Sequence, residues 1–160
     1  MAITFPSAIF AAQKKKSEEK VVATLQSRSS STVNGSVTFQ QTSENINVSY
    51  EIKNLQQGSE HGFHIHEKGD CSSPDAESAE AHFNPLGETH GGHATMVRHA
   101  GDLGNLKADA FGTAKGSLLL KRLSVKEIKN RAVLVHESPD DLKSEPAGNS
   151  GKRIACGVIQ

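Results

Sequence analysis

The chain is poor in aromatic residues, in cysteine and in net charge. Among its 160 residues there are no tryptophans, one tyrosine and six phenylalanines, and 18 basic side chains balance 18 acidic ones. A formal charge of zero argues against a general nucleic-acid or anionic-membrane binder, since both need a basic surface. No apolar run is long enough to span a bilayer. We therefore expect one domain with a core of Val, Ile, Leu, Ala and a few Phe.

Cysteine occurs only at Cys71 and Cys156. Neither lies in a C-x-x-C pair, which argues against zinc ligation by paired thiolates. From the residues alone, the two cysteines could form a disulfide, remain free thiols or bind a metal ion. Of these alternatives, we expect the disulfide. It would close a loop of roughly 85 residues, which the loop-entropy model values at about 4–5 kcal/mol. It would also place the protein in an oxidising compartment.

Residues 1–19 are expected to be a leader, either a signal-peptide remnant or a disordered segment. Residues 1–12 are apolar and rich in small side chains, but they contain Pro6 and lack a basic start and a clear cleavage site. The charge run QKKKSEEK at 13–20 predicts a solvated, mobile segment.

Alternating apolar and polar residues, with many β-branched side chains, predict an all-β domain. The predicted strands are 21–28, 33–40, 46–53, 63–67, 106–110, 116–120, 132–136 and 154–159. Turn chemistry is expected at Asn34-Gly35 and at 42–45. Short spacing between the early strands predicts an antiparallel sandwich or barrel. A capping box at Ser124–Glu127 predicts one short helix that runs to about Asn130.

Two long loops interrupt this pattern, at 69–105 and 140–152. A structureless stretch as long as the first is unusual inside a compact domain. A metal site or a disulfide would organise it.

Six of the eight histidines and one aspartate are spaced as ligands of two metal ions that share one side chain. They are His64, His66, His82, His90, His99, Asp102 and His136. On a strand, His64 and His66 leave the same face because side chains repeat every second residue. His61 should face away and hydrogen-bond the backbone.

The loop residues among these ligands form a three-nitrogen, one-oxygen set that suits Zn²⁺. They are His82, His90, His99 and Asp102. If His82 also binds the other ion, that ion has four imidazoles, which suit copper. Those four are His64, His66, His82 and His136. His93 is expected to be an exposed loop histidine, with an accessory ligand as the alternative.

Several motifs together resemble the copper/zinc superoxide dismutase family. They are HGFHIHEKGDC at 61–71, HFNP at 82–85, HGGH at 90–93, RHAGDLGN at 98–105, LVHESPDDL at 134–142 and GKRIACGVI at 151–159. The resemblance covers nearly all of residues 20–160. It implies that these residues form one domain of this family. It implies an eight-stranded antiparallel Greek-key β-sandwich or barrel with two long functional loops and one short helix. The helix and the loop after Cys71 resemble the bacterial, secreted branch.

Matched positions imply the role of each residue. His64, His66 and His136 would bind copper, His82 would bridge, and His90, His99 and Asp102 would complete the zinc site. Cys71 and Cys156 match an intrachain disulfide. Arg153 matches an arginine at the mouth of the copper site, and Asp140 an aspartate that hydrogen-bonds His64 and His90. The loop after Asp140 is short, and Lys143 and Lys152 are the candidates for steering substrate.

The resemblance implies conversion of superoxide to oxygen and hydrogen peroxide, with copper as the redox ion and His82 as a proton carrier. A metal-buffering or copper-delivery protein of the same fold is the alternative. The expected partner is superoxide as substrate, with no nucleic acid and no membrane span, and a homodimer is left open. The expected location is periplasmic or extracellular.

Overall fold

The chain forms eight β-strands within residues 19–160, the part that a computed structural model describes. The strands are β1 (Lys20–Ser27), β2 (Asn34–Gln41), β3 (Asn45–Lys53), β4 (Glu60–His66), β5 (Asp102–Lys107), β6 (Ala114–Lys121), β7 (Ala132–His136) and β8 (Arg153–Val158). One helical turn, α1 (Val125–Ile128), precedes β7, and a 3₁₀ turn spans Glu77–Ala79. The predicted leader, 1–19, lies outside the described residues apart from exposed Glu19.

All paired strands run antiparallel, in the order β5-β4-β7-β8-β1-β2-β3-β6. The two outermost strands, β5 and β6, contact each other, so the sheet curls into a nearly closed barrel. The connections β3–β4 and β6–β7 join strands that are not neighbours, as in a Greek key. The predicted eight-stranded antiparallel fold is confirmed. Within residues 19–160, no helix is long and apolar enough to cross a bilayer.

The barrel interior is filled by the inward residues of each strand. Along β1, Val21, Ala23 and Leu25 are buried while their neighbours face solvent. Phe63 is fully buried and meets the ring of Tyr50 edge-on, with 5.6 Å between centroids. Burial of one such side chain contributes about 1.5–3 kcal/mol. Every residue of β7 is buried, so this strand holds its last residue rigidly at the end of the barrel.

The turn predicted at Asn34-Gly35 is wrong, since both residues lie inside β2. The chain reverses earlier, where Ser29 and Ser30 adopt positive φ angles of 51° and 59°. Gly35 has a different role, in strand pairing. A Cβ there would lie 2.3 Å from the carbonyl oxygen of Glu51 on β3, so glycine permits the close approach of the two strands.

Several predicted boundaries also need correction. Strand β4 begins at Glu60 and β5 at Asp102, so the first long loop ends at Gly101. The helix stops at Ile128, two residues early, because Lys129 is extended, with ψ at 139°. At its start, the Ser124 N–H donates to Glu127 Oε2 at 2.8 Å, as the capping box predicts.

The predicted disulfide between Cys71 and Cys156 is confirmed, with 5.8 Å between the two Cα atoms. It ties the loop after β4 to the middle of β8. The Arg28 Nε–H donates to the Cys71 carbonyl oxygen at 2.8 Å and holds the loop from the other side. Around Cys156, a second small apolar cluster joins this loop to β7. The disulfide therefore fixes the segment that leads from β4 to His82.

Replacing both cysteines, Cys71→Ser with Cys156→Ser, should lower the free energy of unfolding by about 2–5 kcal/mol. The disulfide joins residues that are 85 apart in sequence, and without it the unfolded chain regains the conformational entropy that this cross-link removes. Urea unfolding of the variant beside the oxidised parent measures the loss. Ser72→Ala, at an exposed neighbour of Cys71, is the control and should leave the midpoint unchanged. A double variant as stable as the parent would contradict the prediction.

Candidate metal centre

Two strands and the first loop bring four histidines into one buried cluster at the end of the barrel. His64 and His66 lie on β4 and point the same way, as their spacing predicts, and His136 is the last residue of the neighbouring strand β7. His82 lies within the first loop and reaches them through a β-bridge with His66. One ligand atom from each lies within 4.8 Å of the others. We call these four residues the first group.

Each strand histidine of the first group hydrogen-bonds outward through one ring nitrogen. The His66 Nδ1–H donates to the Glu80 carbonyl oxygen at 2.7 Å. The His136 Nδ1–H donates to the Gly151 carbonyl oxygen at 3.2 Å. The His64 Nε2–H donates to a carboxylate at 2.8 Å. Since these acceptors cannot donate, the proton of each ring sits on its outward nitrogen.

The opposite nitrogens face inward and have no protein partner. They are His64 Nδ1, His66 Nε2, His82 Nε2 and His136 Nε2, all buried. Burial lowers the pKa of His136 to about 4 and, together with the charge of His82, holds the pKa of His64 and His66 well below the usual value. These imidazoles are therefore neutral at pH 7, which is the form that binds metal ions. Four convergent lone pairs fit one cation.

A second group lies on the other side of His82 and consists of His82, His90, His99 and Asp102, all buried. Asp102 Oδ1 lies 2.8 Å from His82 Nδ1 and 3.3 Å from His99 Nδ1, and Oδ2 lies 3.2 Å from His90 Nδ1. Bonds of about 2.0–2.1 Å to a tetrahedral Zn²⁺ would put neighbouring donors roughly 3.3 Å apart. The separations of His90 and His99 from the carboxylate match that value, and the 2.8 Å contact between Asp102 and His82 has the length of a hydrogen bond.

Backbone groups fix the carboxylate of Asp102. Its Oδ2 accepts the Gly91 N–H at 3.1 Å and the His99 N–H at 2.9 Å. Burial raises the pKa of Asp102, but its hydrogen bond to His82 and its interactions with His82, His90 and His99 together lower it. The carboxylate of the second group is thus ionised at pH 7 and offsets part of the charge of a divalent ion.

Asp140 connects the two groups. Its Oδ2 accepts from His64 Nε2 at 2.8 Å and its Oδ1 from His90 Nε2 at 2.9 Å. Asn105 holds the backbone of Asp140, accepting its N–H at 2.7 Å and donating to its carbonyl oxygen at 2.9 Å. The residue has the contacts that the sequence resemblance implied.

Two histidines stay outside both groups. The His61 Nδ1–H donates to the His136 carbonyl oxygen at 2.9 Å, which agrees with the predicted backbone contact. His61 is buried, and the register of β4 shifts between Gly62 and His64. His93 is half-buried where an exposed loop histidine was expected, and its ring belongs to neither group.

Arg153 lies next to the first group. It is the first residue of β8, it is paired with His136 in the sheet, and its charge depresses the pKa of His66 and His136. Its Nη1–H donates to the Ala76 carbonyl oxygen at 2.7 Å, and its Nη2 lies 3.4 Å from Glu77 Oε2. The guanidinium is half-buried and oriented from one side only. Lys143 and Lys152, the two lysines proposed for steering, are exposed.

Sequence reasoning missed two residues that shape the second group. Glu145 Oε1 accepts the His90 N–H at 2.6 Å. Gly148 has a φ of 63°, and a Cβ there would lie 1.8 Å from Asp140 Oδ1. Neither belongs to a periodic pattern. The only available signal was a loop glycine shortly after a predicted functional aspartate.

Comparisons with known proteins agree with this geometry. A family model described as copper/zinc superoxide dismutase matches residues 33–159. A superoxide dismutase [Cu-Zn] of Yarrowia lipolytica is 46% identical over 151 residues, covering 88% of this chain and 96% of that protein. One of Saccharomyces cerevisiae is 45% identical over 138 residues, covering 79% and 89%. One of Paramecium bursaria Chlorella virus 1 is 43% identical over 136 residues, covering 79% and 72%.

Gly148→Ala should weaken Zn²⁺ binding by about 10–100-fold, because a methyl group would displace Asp140 from His90. Competition with a chromophoric chelator measures the affinity. Gly87→Ala is the matched control: its φ is 66°, but a Cβ there would meet no atom within 4 Å. If both variants bind Zn²⁺ as tightly as the parent, the clash has no role in the site.

Proposed function

The chain belongs to the copper/zinc superoxide dismutase family, and we propose that it converts superoxide into oxygen and hydrogen peroxide. The observation that carries the proposal is the set of convergent, neutral imidazole nitrogens beside a second four-donor group that shares His82. Two superoxide anions and two protons give one molecule of each product, so the site must bind an anion and deliver protons.

We assign copper to the first group and zinc to the second. Four imidazoles suit copper, whereas three imidazoles and a carboxylate suit Zn²⁺. When bound, copper supplies the one-electron exchange, and zinc supplies charge and a fixed geometry. The outward hydrogen bonds keep each ring oriented before any ion binds. The ligand atoms are buried and both sets are complete, which disfavours the alternative of a metal-buffering or copper-delivery protein.

His82 is the residue we assign to proton transfer. Its Nδ1 faces the second group and its Nε2 faces the first, where it has no protein partner. A proton held at Nε2 lies among the nitrogens of the first group, the group to which we assign copper and therefore the reaction of the substrate. His82 can therefore hold a proton at this atom and donate it to the reduced product.

Arg153 is the residue we assign to anion binding. Its guanidinium borders the first group, and Ala76 and Glu77 hold it from one side. The remaining donors can hydrogen-bond a small anion, and the fixed charge attracts superoxide. Lys143 and Lys152 would add to this attraction at longer range.

The periplasmic or extracellular location stays part of the proposal. The disulfide supports it, because such bonds persist in oxidising compartments. The relatives named above are fungal and viral, so they give no support for a bacterial secreted branch. Fractionation of the source cells tests the location, and activity wholly in the cytosol would overturn it. The homodimer that the sequence left open is not part of the proposal.

His82→Ala should abolish dismutase activity, because it removes the shared donor of both groups and the proposed proton carrier. Superoxide consumption and the copper and zinc content of the purified variant are measured together. His93→Gln changes a loop histidine outside both groups and should retain activity. Turnover at the parent's rate in His82→Ala would refute the assignment.

Arg153→Glu should lower kcat/KM by about tenfold or more at low ionic strength, and by less at high ionic strength, where charges are screened within a few ångströms. Rates measured across a salt series give the dependence. Lys20→Glu makes the same change of charge at the far end of β1 and should have little effect. Equal salt dependence in the parent and Arg153→Glu would exclude a steering role for Arg153.

A further inference from the structure

One ring nitrogen of the second group faces a carboxylate that no sequence motif indicated. His64, His66, His90 and His136 each have their outward nitrogen against a protein oxygen within 3.2 Å. The outward nitrogen of His99 is Nε2, and it lies 3.9 Å from Glu145 Oε2. This separation is too long for a direct hydrogen bond, but charges at this distance attract.

The same carboxylate holds a second residue of the group. Glu145 Oε1 accepts the backbone N–H of His90 at 2.6 Å. One side chain thus reaches both loop histidines, His90 through its backbone and His99 through its ring. The hydrogen bond ties His90 to the 140–152 loop, and the second oxygen places a negative charge beside the His99 ring.

The segment that carries Glu145 is itself well ordered by local hydrogen bonds. Asp141 Oδ1 accepts the N–H groups of Lys143 and Ser144 at 2.9 and 2.8 Å, and its Oδ2 accepts from Asn149 Nδ2 at 2.9 Å. The Gly148 N–H donates to the Ser144 carbonyl oxygen at 2.7 Å. These bonds close a tight turn, so Glu145 is presented from a fixed backbone rather than from an open loop.

We propose that Glu145 is a positioning residue for the second group, closing the 140–152 loop onto His90 and His99 and thereby raising the affinity of the group for Zn²⁺. The inference rests on the proposed function. When His99 Nδ1 binds an ion, the ring proton must sit on Nε2, and Glu145 stabilises that tautomer. The carboxylate also makes the Nδ1 atom of His99 a stronger electron-pair donor to the ion.

The two contacts predict different effects for two substitutions. Glu145→Gln keeps an oxygen for the His90 N–H but removes the charge that faces His99, and it should weaken Zn²⁺ binding by about 2- to 5-fold. Glu145→Ala removes both contacts and should weaken binding by about 10- to 100-fold. Glu88→Gln, which removes an equal charge from an exposed position in the same loop as His90, should leave the affinity unchanged.

Two further readouts separate this role from a general loss of structure. The difference between the parent and Glu145→Gln should shrink at high salt, because the Glu145 side chain is 54% exposed and its charge is screened. Amide hydrogen exchange at His90 should stay slow in Glu145→Gln and become faster in Glu145→Ala. Glu145→Gln thus keeps the hydrogen bond to the His90 N–H but lacks the negative charge.

Zn²⁺ affinity is measured on the purified full chain by competition with a chromophoric chelator, with exchange at His90 followed by NMR. Parent-like affinity in both Glu145 variants would overturn the role of Glu145 while leaving the metal centre intact. If Glu88→Gln weakened Zn²⁺ binding as much as the Glu145 variants do, the effect would come from net charge alone, and the role of Glu145 would also be overturned. A parent that binds no Zn²⁺ would overturn the proposed metal centre itself, and this inference with it.

Discussion

The structure depends on the burial of six imidazoles, four of which have their outward proton placed by a hydrogen bond to a protein oxygen. A buried polar atom without a partner costs about 1–3 kcal/mol, and five ring nitrogens of the two groups have none in the protein. The barrel therefore holds these nitrogens in an arrangement that suits a bound cation. Hydrogen bonds from the outward nitrogens of His64, His66, His90 and His136 to protein oxygens hold those four rings in this orientation. The ligand sets are thus preorganised, and ion binding does not need to order them.

This constraint explains why two loops of low regularity remain fixed on a regular barrel. The first loop is held at Cys71 by the disulfide to β8 and at His82 by the bridge to β4. The second is held at Asp140 by Asn105 and by the two histidines that it joins. Glycine at 148 leaves room for that carboxylate. The first loop supplies His82, His90 and His99, and the strands supply the other four residues of the two groups together with the rigid frame against which the loops are aligned.

Charge is distributed along this frame according to function. The neutral imidazoles of the first group lie beside Arg153, the cation that borders them, whereas the second group contains the carboxylate of Asp102. In the proposed function, the first group would attract the anionic substrate and the second would retain a divalent ion. Asp140 serves both, because its two oxygens orient one ring of each group.

Local patterns in the sequence predicted a large part of this molecule. Alternation, β-branched residues and the apolar run at 132–136 predicted all eight strands. Strand β5 begins four residues earlier than predicted, since Asp102 pairs with His64 only once β4 lies beside it. The spacing of His64 and His66 predicted their common face, because strand periodicity is a local property. The turn at Asn34-Gly35 was wrong because the approach of Glu51, from another strand, decided the role of that glycine.

By itself, the sequence determined which residue types could bind two ions, and that one histidine had to be shared. Only the tertiary structure decided which nitrogen of each ring faces inward, since the outward acceptors include the carbonyl oxygens of Glu80 and Gly151, which any residue would provide. It also decided that Glu145 reaches both His90 and His99, more than 40 residues away in the chain. Such contacts follow from how two loops fold against one barrel, and no local pattern encodes them.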